Sequence, residues 1–479
     1  MAERTIDQAV AAMGGRLLRG SGAKRFRGAA IDSRRTSAGE LFFALPGART
    51  DGHAHALAAL ENGATGVVVH RDVAGEEDAP GAWIRVDDTF EALHALTRAV
   101  REELPEHLVA ITGSAGKTTT KELLAVMLER GFRVARSPGN FNNTYGFPIA
   151  LLGIPDDTQW MVAEMGMSTP GELAQVSHLG RPDIAVFTNV RPVHLENFLS
   201  LDAIAEAKSE LLAGVGPDVR IVANADDPQV MRIARRHVEE RGGRLVTYGL
   251  QQPADVTASN VRTLANGSDR LVVGCRFDLG YGGRTREVEL PIHGLYNVEN
   301  CLAAAACVLE LGLSLDDVAA AAATFKPASM RGVVHRLEAG PTVIDDSYNA
   351  NPDAVARALE SARLLPARRR IAVLGDMLEL GPEEADFHRQ VGKRAAELGF
   401  ELVVAVGELS RHLLQGVEDA GGRAEWFASS TAVASWLGGR PSLDDRTLGV
   451  GDLVLVKGSR GVGLDKVVGS LVDLYGEGA

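Results

Sequence analysis

Cysteine is scarce: Cys275, Cys301 and Cys307 are the only three in 479 residues. Their spacing fits neither a metal-ligand motif nor an even disulfide framework, which suits a reducing cytoplasm. No run of about 18 uncharged apolar residues occurs, so no membrane span is expected. The opening MAERTIDQAVAAMGG lacks a basic start and a long apolar core, and no secretory signal is expected. Positive charge is in deficit: 50 Lys and Arg face 63 Asp and Glu, a net charge of −13. A general nucleic-acid binder carries a basic face, so that class is not expected. The balance leaves room for a local basic site that takes a phosphorylated ligand. Long internal repeats and low-complexity tracts are also missing.

What is present has the texture of a soluble globular protein, 45% hydrophobic and 24% charged. The length predicts roughly two to four domains. Residues 1–105 read as a small α/β unit, with apolar runs at 41–45 and 66–70 and helix-like stretches from His53 to Asn62 and from Thr89 to Glu103. Residues 106–327 open on a buried-strand candidate, HLVAIT, then a glycine-rich turn and a helix-like KTTTKELLAVMLERG. The rhythm recurs at MVAEMG (161–166) and DIAVFTNV (183–190), which predicts a doubly wound parallel sheet. Residues 254–292 alternate and are punctuated by glycine, which predicts an antiparallel hairpin insertion. Residues 328–479 form a third, Rossmann-like α/β unit, with strands expected at 342–347, 371–376, 402–407 and 453–459.

The sharpest chemical signal is TGSAGKTT at 112–119. Glycines let backbone N–H groups of Gly113, Ser114, Ala115 and Gly116 approach phosphate oxygens, and the following helix turns its positive end toward them. Lys117 adds a charge at the β- and γ-phosphates; Thr118 offers a hydroxyl to Mg²⁺, with Thr119 beside it. Strict spacing wants glycine where Ile111 stands, so this is a shortened P-loop. Glu164 ends a strand of the same sheet, where a carboxylate can hold Mg²⁺; otherwise it is a solvated strand end. His194 follows the next strand and is a candidate second-metal ligand, though a lone histidine is more often structural. Lys208 shares a helical stripe with Leu201, Ile204, Leu211 and Val215. A buried lysine needs a partner or a modification, and periodicity alone slightly favours an ammonium reaching solvent. Asn297 and Asn300, three apart, suit a purine edge or a helix cap. Arg331 suits phosphate and Asp346 a ribose hydroxyl.

In order, TGSAGKTTTKE, GNFNNTYGFP, VAEMG, NVRPVHLENF, AEAKSEL, NVENCLAAAA, IDDSYNANPDA, VLGDMLELG and VKGSR span nearly the whole chain. Together they resemble the Mur ligase family. The N-terminal DSRRTSAGELFFALPGARTDGHAHA (32–56) is similar to that family's uridine-nucleotide-sugar domain. The resemblance implies a peptidoglycan-precursor ligase that uses ATP to join D-alanyl-D-alanine to UDP-N-acetylmuramoyl-tripeptide through an acyl phosphate. It implies a monomeric cytoplasmic enzyme with two Mg²⁺ sites. Thr118 and Glu164 would serve one site; His194 and an N6-carboxylated Lys208 would serve the other. Asn140 would lie near the phosphates, Asn297 and Asn300 would flank adenine, and Arg331 and Asp346 would reach the nucleotide. Ser33, Arg34 and Asp51 would hold the nucleotide-sugar. Tyr296, Asn197, Leu199 and Ser209 depart from residues common in the family, which bears on adenine stacking and loop shape. The sister ligase that adds the third amino acid typically carries Asp-Asn-Pro-Arg, absent here. A folate-polyglutamate ligase should lack the N-terminal segment. A guanine-nucleotide switch usually carries Asn-Lys-x-Asp, and no Asn-Lys pair occurs.

Overall fold

The strands fall into sheets in chain order. In the computed structural model, residues 3–47, 50–104, 107–193, 195–198, 200–266, 272–338, 340–438 and 448–476 are described. After an antiparallel pair of two-residue strands, Arg4–Thr5 with Arg25–Phe26, comes a five-stranded sheet ordered Arg16–Arg19, Ala82–Arg85, Gly66–Val69, Leu41–Phe43, Ala29–Ala30, parallel except for its first pair. The helix Thr89–Glu103 packs behind it, opened by the Asp88 carboxylate, which accepts from Phe90 and Glu91 N–H.

The central sheet has nine strands. Edge to edge they are Arg284–Leu290, Val272–Tyr281, Val256–Asn266, Arg244–Gly249, Arg220–Asn224, Ile184–Phe187, His107–Thr112, Trp160–Glu164 and Val134–Arg136. From Arg244–Gly249 to Val134–Arg136 every pairing is parallel. Parallel strands covered on both faces read as continuous apolar runs, and all residues of Trp160–Glu164 and Ile184–Phe187 are buried. The helix Leu295–Glu310 lies on one face against the P-loop helix Lys117–Leu128. It is buried without a break from Asn300 to Leu309, and the run Ala303–Ala306 permits close packing.

The expected hairpin is a three-stranded antiparallel meander joined to the parallel sheet at Tyr248–Val256. Its second turn, Tyr281 to Arg284, passes through Gly282 (φ 58°) and Gly283 (φ 74°), a conformation suited to glycine in two-residue hairpin loops. The third sheet is ordered Val333–Arg336, Thr342–Asp345, Asp452–Lys457, Arg369–Gly375, Leu402–Val406, Ala424–Phe427. Val333–Arg336 and Ala424–Phe427 were not singled out in the sequence, because these edge strands are only partly buried and carry no apolar run. None of the described helices is long and apolar enough to cross a membrane. All three cysteines are free and buried.

One expected stripe is corrected. The helix Leu201–Ser209 ends one residue after Lys208, and Leu211 sits in the following 3₁₀ turn, Glu210–Leu212. Ile204 and Leu211 are buried, while Leu201 is 37% exposed.

Asp227 ties the central layers together. One carboxylate oxygen accepts from Gln229 and Val230 N–H (3.0 and 3.1 Å), the other from Val190 N–H (2.9 Å) and the Arg191 guanidinium (2.8 Å). It is fully buried. Asp227→Ala strands several donors, so a loss of roughly 2–4 kcal/mol is expected, read as a lower urea midpoint for the central sheet.

Candidate active site

The strand His107–Thr112 lies between Trp160–Glu164 and Ile184–Phe187, and the register places Glu164 beside Ile111 and Phe187 beside Thr112. Three parallel strands thus deliver their C-terminal ends to one edge, where open α/β sheets bind ligands. Sterics dictate the turn that follows. A Cβ at Gly113 would lie 1.8 Å from Thr188 Oγ1, and one at Gly116 (φ 85°) would lie 2.2 Å from Asn300 Oδ1. Ser114 and Ala115 N–H donate to Asn189 O and Oδ1, both at 2.9 Å, and Thr188 Oγ1 donates to Ala115 O at 2.7 Å. The P-loop is therefore braced by the neighbouring strand's end.

Above it opens a cavity of about 330 Å³. Gly113, Ser114, Ala115, Gly116, Lys117, Thr118, Thr119, Asn140, Glu164, Lys208, Asn297 and Asn300 line it from the central sheet, and Arg331, Asp346 and Lys457 from the third. Ser33, Arg34 and Asp51 lie apart, on the first unit. Ser33 is buried and its carbonyl accepts from Asn62 Nδ2 (2.9 Å); Arg34 is exposed beside Asp32. The Asp51 carboxylate is already engaged by His53 N–H (2.9 Å), His53 Nδ1 (2.6 Å) and Arg71 (2.5 Å). Backbone donation from His53 leads the interactions that hold Asp51 far below the usual carboxylate range. His194 lies outside the described residues.

Lys117 Nζ donates to Gly113 O at 2.8 Å, and burial pushes this ammonium below the usual lysine range, with Glu164 opposing the shift. Glu164 is 4% exposed; Oε2 accepts from Thr118 Oγ1 at 2.6 Å and Oε1 from Asn142 Nδ2 at 2.8 Å. Burial alone would raise its pKa, but Lys117, Arg331 and these two hydrogen bonds hold it below the usual range. A hydroxyl beside an ionised carboxylate is a hard oxygen donor set that fits Mg²⁺. Among the described residues no group of three His, Cys, Asp or Glu encloses a metal, so a cation here must share its shell with other oxygens, such as phosphate.

Lys208 is 4% exposed and lines the cavity. Burial, then Lys117, depresses it well below the ordinary lysine value. The little exposure it keeps is at the cavity it lines.

Asn297 and Asn300 reach the cavity with their amides largely engaged. Asn297 Nδ2 donates to His293 O (2.7 Å), Asn300 Nδ2 to Asn297 Oδ1 (3.1 Å), and Thr120 Oγ1 to Asn300 Oδ1 (3.3 Å). The pair joins its helix to the P-loop helix, each amide giving one bond and accepting one. From the third sheet, Arg331 stacks over Tyr348 at 4.1 Å. Asp346 pairs with Lys457 Nζ at 2.6 Å, and Lys457 also donates to Asn349 O. Sequence reasoning assigned Lys457 no role; its signal was a lysine ending the fully buried strand Asp452–Lys457. A line of alternating charges crosses between the sheets: Asp227–Arg191 (2.8 Å), Arg191–Asp353 (3.7 Å), Asp353–Arg357 (3.1 Å) and Arg357–Glu299 (2.9 Å).

Family models match most of the chain. "Mur ligase family, catalytic domain" covers residues 25–101, "Mur ligase middle domain" 111–308 and "Mur ligase, glutamate ligase domain" 330–460. The UDP-N-acetylmuramoyl-tripeptide–D-alanyl-D-alanine ligase of Bacillus subtilis is 32% identical, over 93% of each chain. The protein of that name from Mycobacterium tuberculosis H37Rv is 36% identical, over 92% of this chain and 91% of its own. A crystal structure of MurF from Acinetobacter baumannii superposes with a TM-score of 0.85 at 28% identity, over 99% of each chain. MurF ligase from Thermotoga maritima in complex with ADP gives 0.78 at 26% identity, over 94% of this chain and 98% of that one.

A hydrogen bond to Gly113 O holds the Lys117 ammonium against the turn. Lys117→Ala is expected to lower turnover at saturating ATP by at least about 10²-fold with an unchanged circular dichroism spectrum. Wild-type turnover would remove the P-loop assignment.

Proposed function

The chain belongs to the Mur ligase family, and from that premise we propose that it joins D-alanyl-D-alanine to the terminal carboxylate of UDP-N-acetylmuramoyl-tripeptide as a monomeric cytoplasmic enzyme. It is an ATP-dependent ligase that forms a peptide bond. In this reading residues 1–105 hold the nucleotide-sugar through Ser33, Arg34 and Asp51. Residues 106–327 bind ATP, and residues 328–479 complete the nucleotide site. The observation that carries the reading is the shared cavity: Lys117, Glu164 and Lys208 face Arg331, Asp346 and Lys457 across it.

A free carboxylate does not condense with an amine at neutral pH, because oxide is a very poor leaving group. The tripeptide carboxylate therefore attacks the γ-phosphorus of ATP; the β–γ bridging bond breaks and ADP leaves. Lys117 and the P-loop N–H groups neutralise charge on the transferring phosphoryl oxygens. A divalent cation held by Thr118 and Glu164, and a second held by His194 and carboxylated Lys208, would add charge neutralisation there. The dipeptide amine then attacks the acyl carbon, loses a proton, and phosphate departs. Asn140 serves the phosphates, Asn297 and Asn300 lie beside the adenine, and Arg331 and Asp346 approach the nucleotide from the third unit. Acyl phosphates hydrolyse, so the third unit's closure over the cavity protects the intermediate.

With oxygen-18 in the tripeptide carboxylate, label is expected in the released phosphate, and phosphate release should require both the nucleotide-sugar peptide and the dipeptide. Label confined to the amide product would exclude the acyl phosphate.

Lys208 gives a second test. A neutral buried amine captures CO₂ as a carbamate, turning a cation into an oxygen ligand. Carbon-13 bicarbonate should then yield a carbamate NMR signal that Lys208→Ala abolishes. Lys208→Ala should lose most activity and recover part of it in acetate. A fully active enzyme without that signal would end the idea.

A further inference from the structure

A second lysine of the P-loop helix is left unused by this chemistry. Lys121 is fully buried. Its Nζ donates to Ser137 O at 2.6 Å and Gly139 O at 3.3 Å, and lies 3.2 Å from Glu122 Oε1. A cation near a helix N-terminus opposes the helix dipole, and a buried ion pair is often no more stabilising than apolar residues of similar volume. Helix stability alone therefore gives little reason for an ammonium here. What it does is gather two carbonyls, which needs several donors on one atom.

Those carbonyls begin the segment that frames Glu164. Ser137 Oγ accepts from Glu164 N–H at 3.2 Å. Five residues on, Asn142 Nδ2 donates to Glu164 Oε1 at 2.8 Å, and Asn142 O accepts from Gly166 N–H at 2.8 Å. Segment 137–142 thus grips Glu164 at its backbone and at its carboxylate, and Lys121 anchors the segment's start to the P-loop helix.

We propose that Lys121 is a positioning residue for the reaction: through segment 137–142 it fixes the Glu164 carboxylate for the divalent cation. This rests on the assignment of Glu164 to that cation. Its absence leaves Lys117 and Thr118 in place, so it acts on metal binding more than on nucleotide binding.

The test measures Mn²⁺ affinity of the ADP-bound full-length enzyme by electron paramagnetic resonance, and ADP affinity in EDTA by calorimetry. Lys121→Met fills the volume without the charge. Its Mn²⁺ affinity should fall roughly tenfold, as for other residues that orient a metal ligand, with ADP affinity in EDTA unchanged. Ser137→Ala, which spares Lys121, should weaken Mn²⁺ in the same direction by less. Folded Lys121→Met with wild-type Mn²⁺ affinity overturns the proposal. So does an equal loss of metal-free ADP binding. If Lys121→Met does not fold, Lys121→Gln takes its place under the same criteria. Glu164→Gln separates the two levels: unchanged Mn²⁺ affinity there removes the cation assignment itself, whereas a loss there with none in Lys121→Met removes only the positioning role.

Discussion

An ionised carboxylate at 4% exposure is costly, and Glu164 is kept ionised by what surrounds it. Thr118 from the P-loop helix, Asn142 from the following loop, and the charges of Lys117 and Arg331 all converge on this one group. That convergence sets the conditions for the rest of the site. The two strands must keep their register, because a slip of one residue turns Glu164 to the other face. The turn must be glycine at 113 and 116, because Thr188 and Asn300 occupy the space a side chain would take. Arg331 comes from the third unit, just before the strand Val333–Arg336, so its charge reaches Glu164 only when that unit is seated.

The parallel core was legible in the sequence because strands buried on both faces write themselves as apolar runs. HLVAIT became His107–Thr112, and Thr89–Glu103 matches its predicted helix. The P-loop was legible because backbone approach to phosphate demands glycine at fixed spacing. Contacts made through space left no such trace. Lys457 reaches Asp346 across 111 positions, and Asn300 reaches Thr120 across 180. The two asparagines were read as suiting a purine edge or a helix cap; in the structure they also bond to His293, to Thr120 and to each other. The stripe through Lys208 was misjudged at Leu201, which opens the helix at its exposed N-terminal end.

The first unit adds a further link. His94 Nε2 meets Thr144 O at 2.7 Å, Phe90 packs on Tyr145 at 5.0 Å, and Arg35 sits 5.7 Å from the Phe141 ring. All three contacts fall within three residues of Asn142, in the same loop that grips Glu164. The unit proposed to hold the nucleotide-sugar and the loop beside Glu164 are therefore mechanically continuous. A shift in one must be accommodated by the other, because packed interiors have few voids to absorb it.

The line of charges from Asp227 to Glu299 has a consequence of another kind. Four of its five members are partly open to water, with side chains 19–33% exposed. Pairs in such positions are weakened by dissolved salt, over a screening length of about 8 Å at 0.15 M. Apolar contacts between the sheets respond in the opposite sense to strongly hydrated salts. The seating of the third unit is thus tied to the ionic composition of the surrounding solution, and so to whatever changes it, including the loss of water from a cell whose wall is under strain.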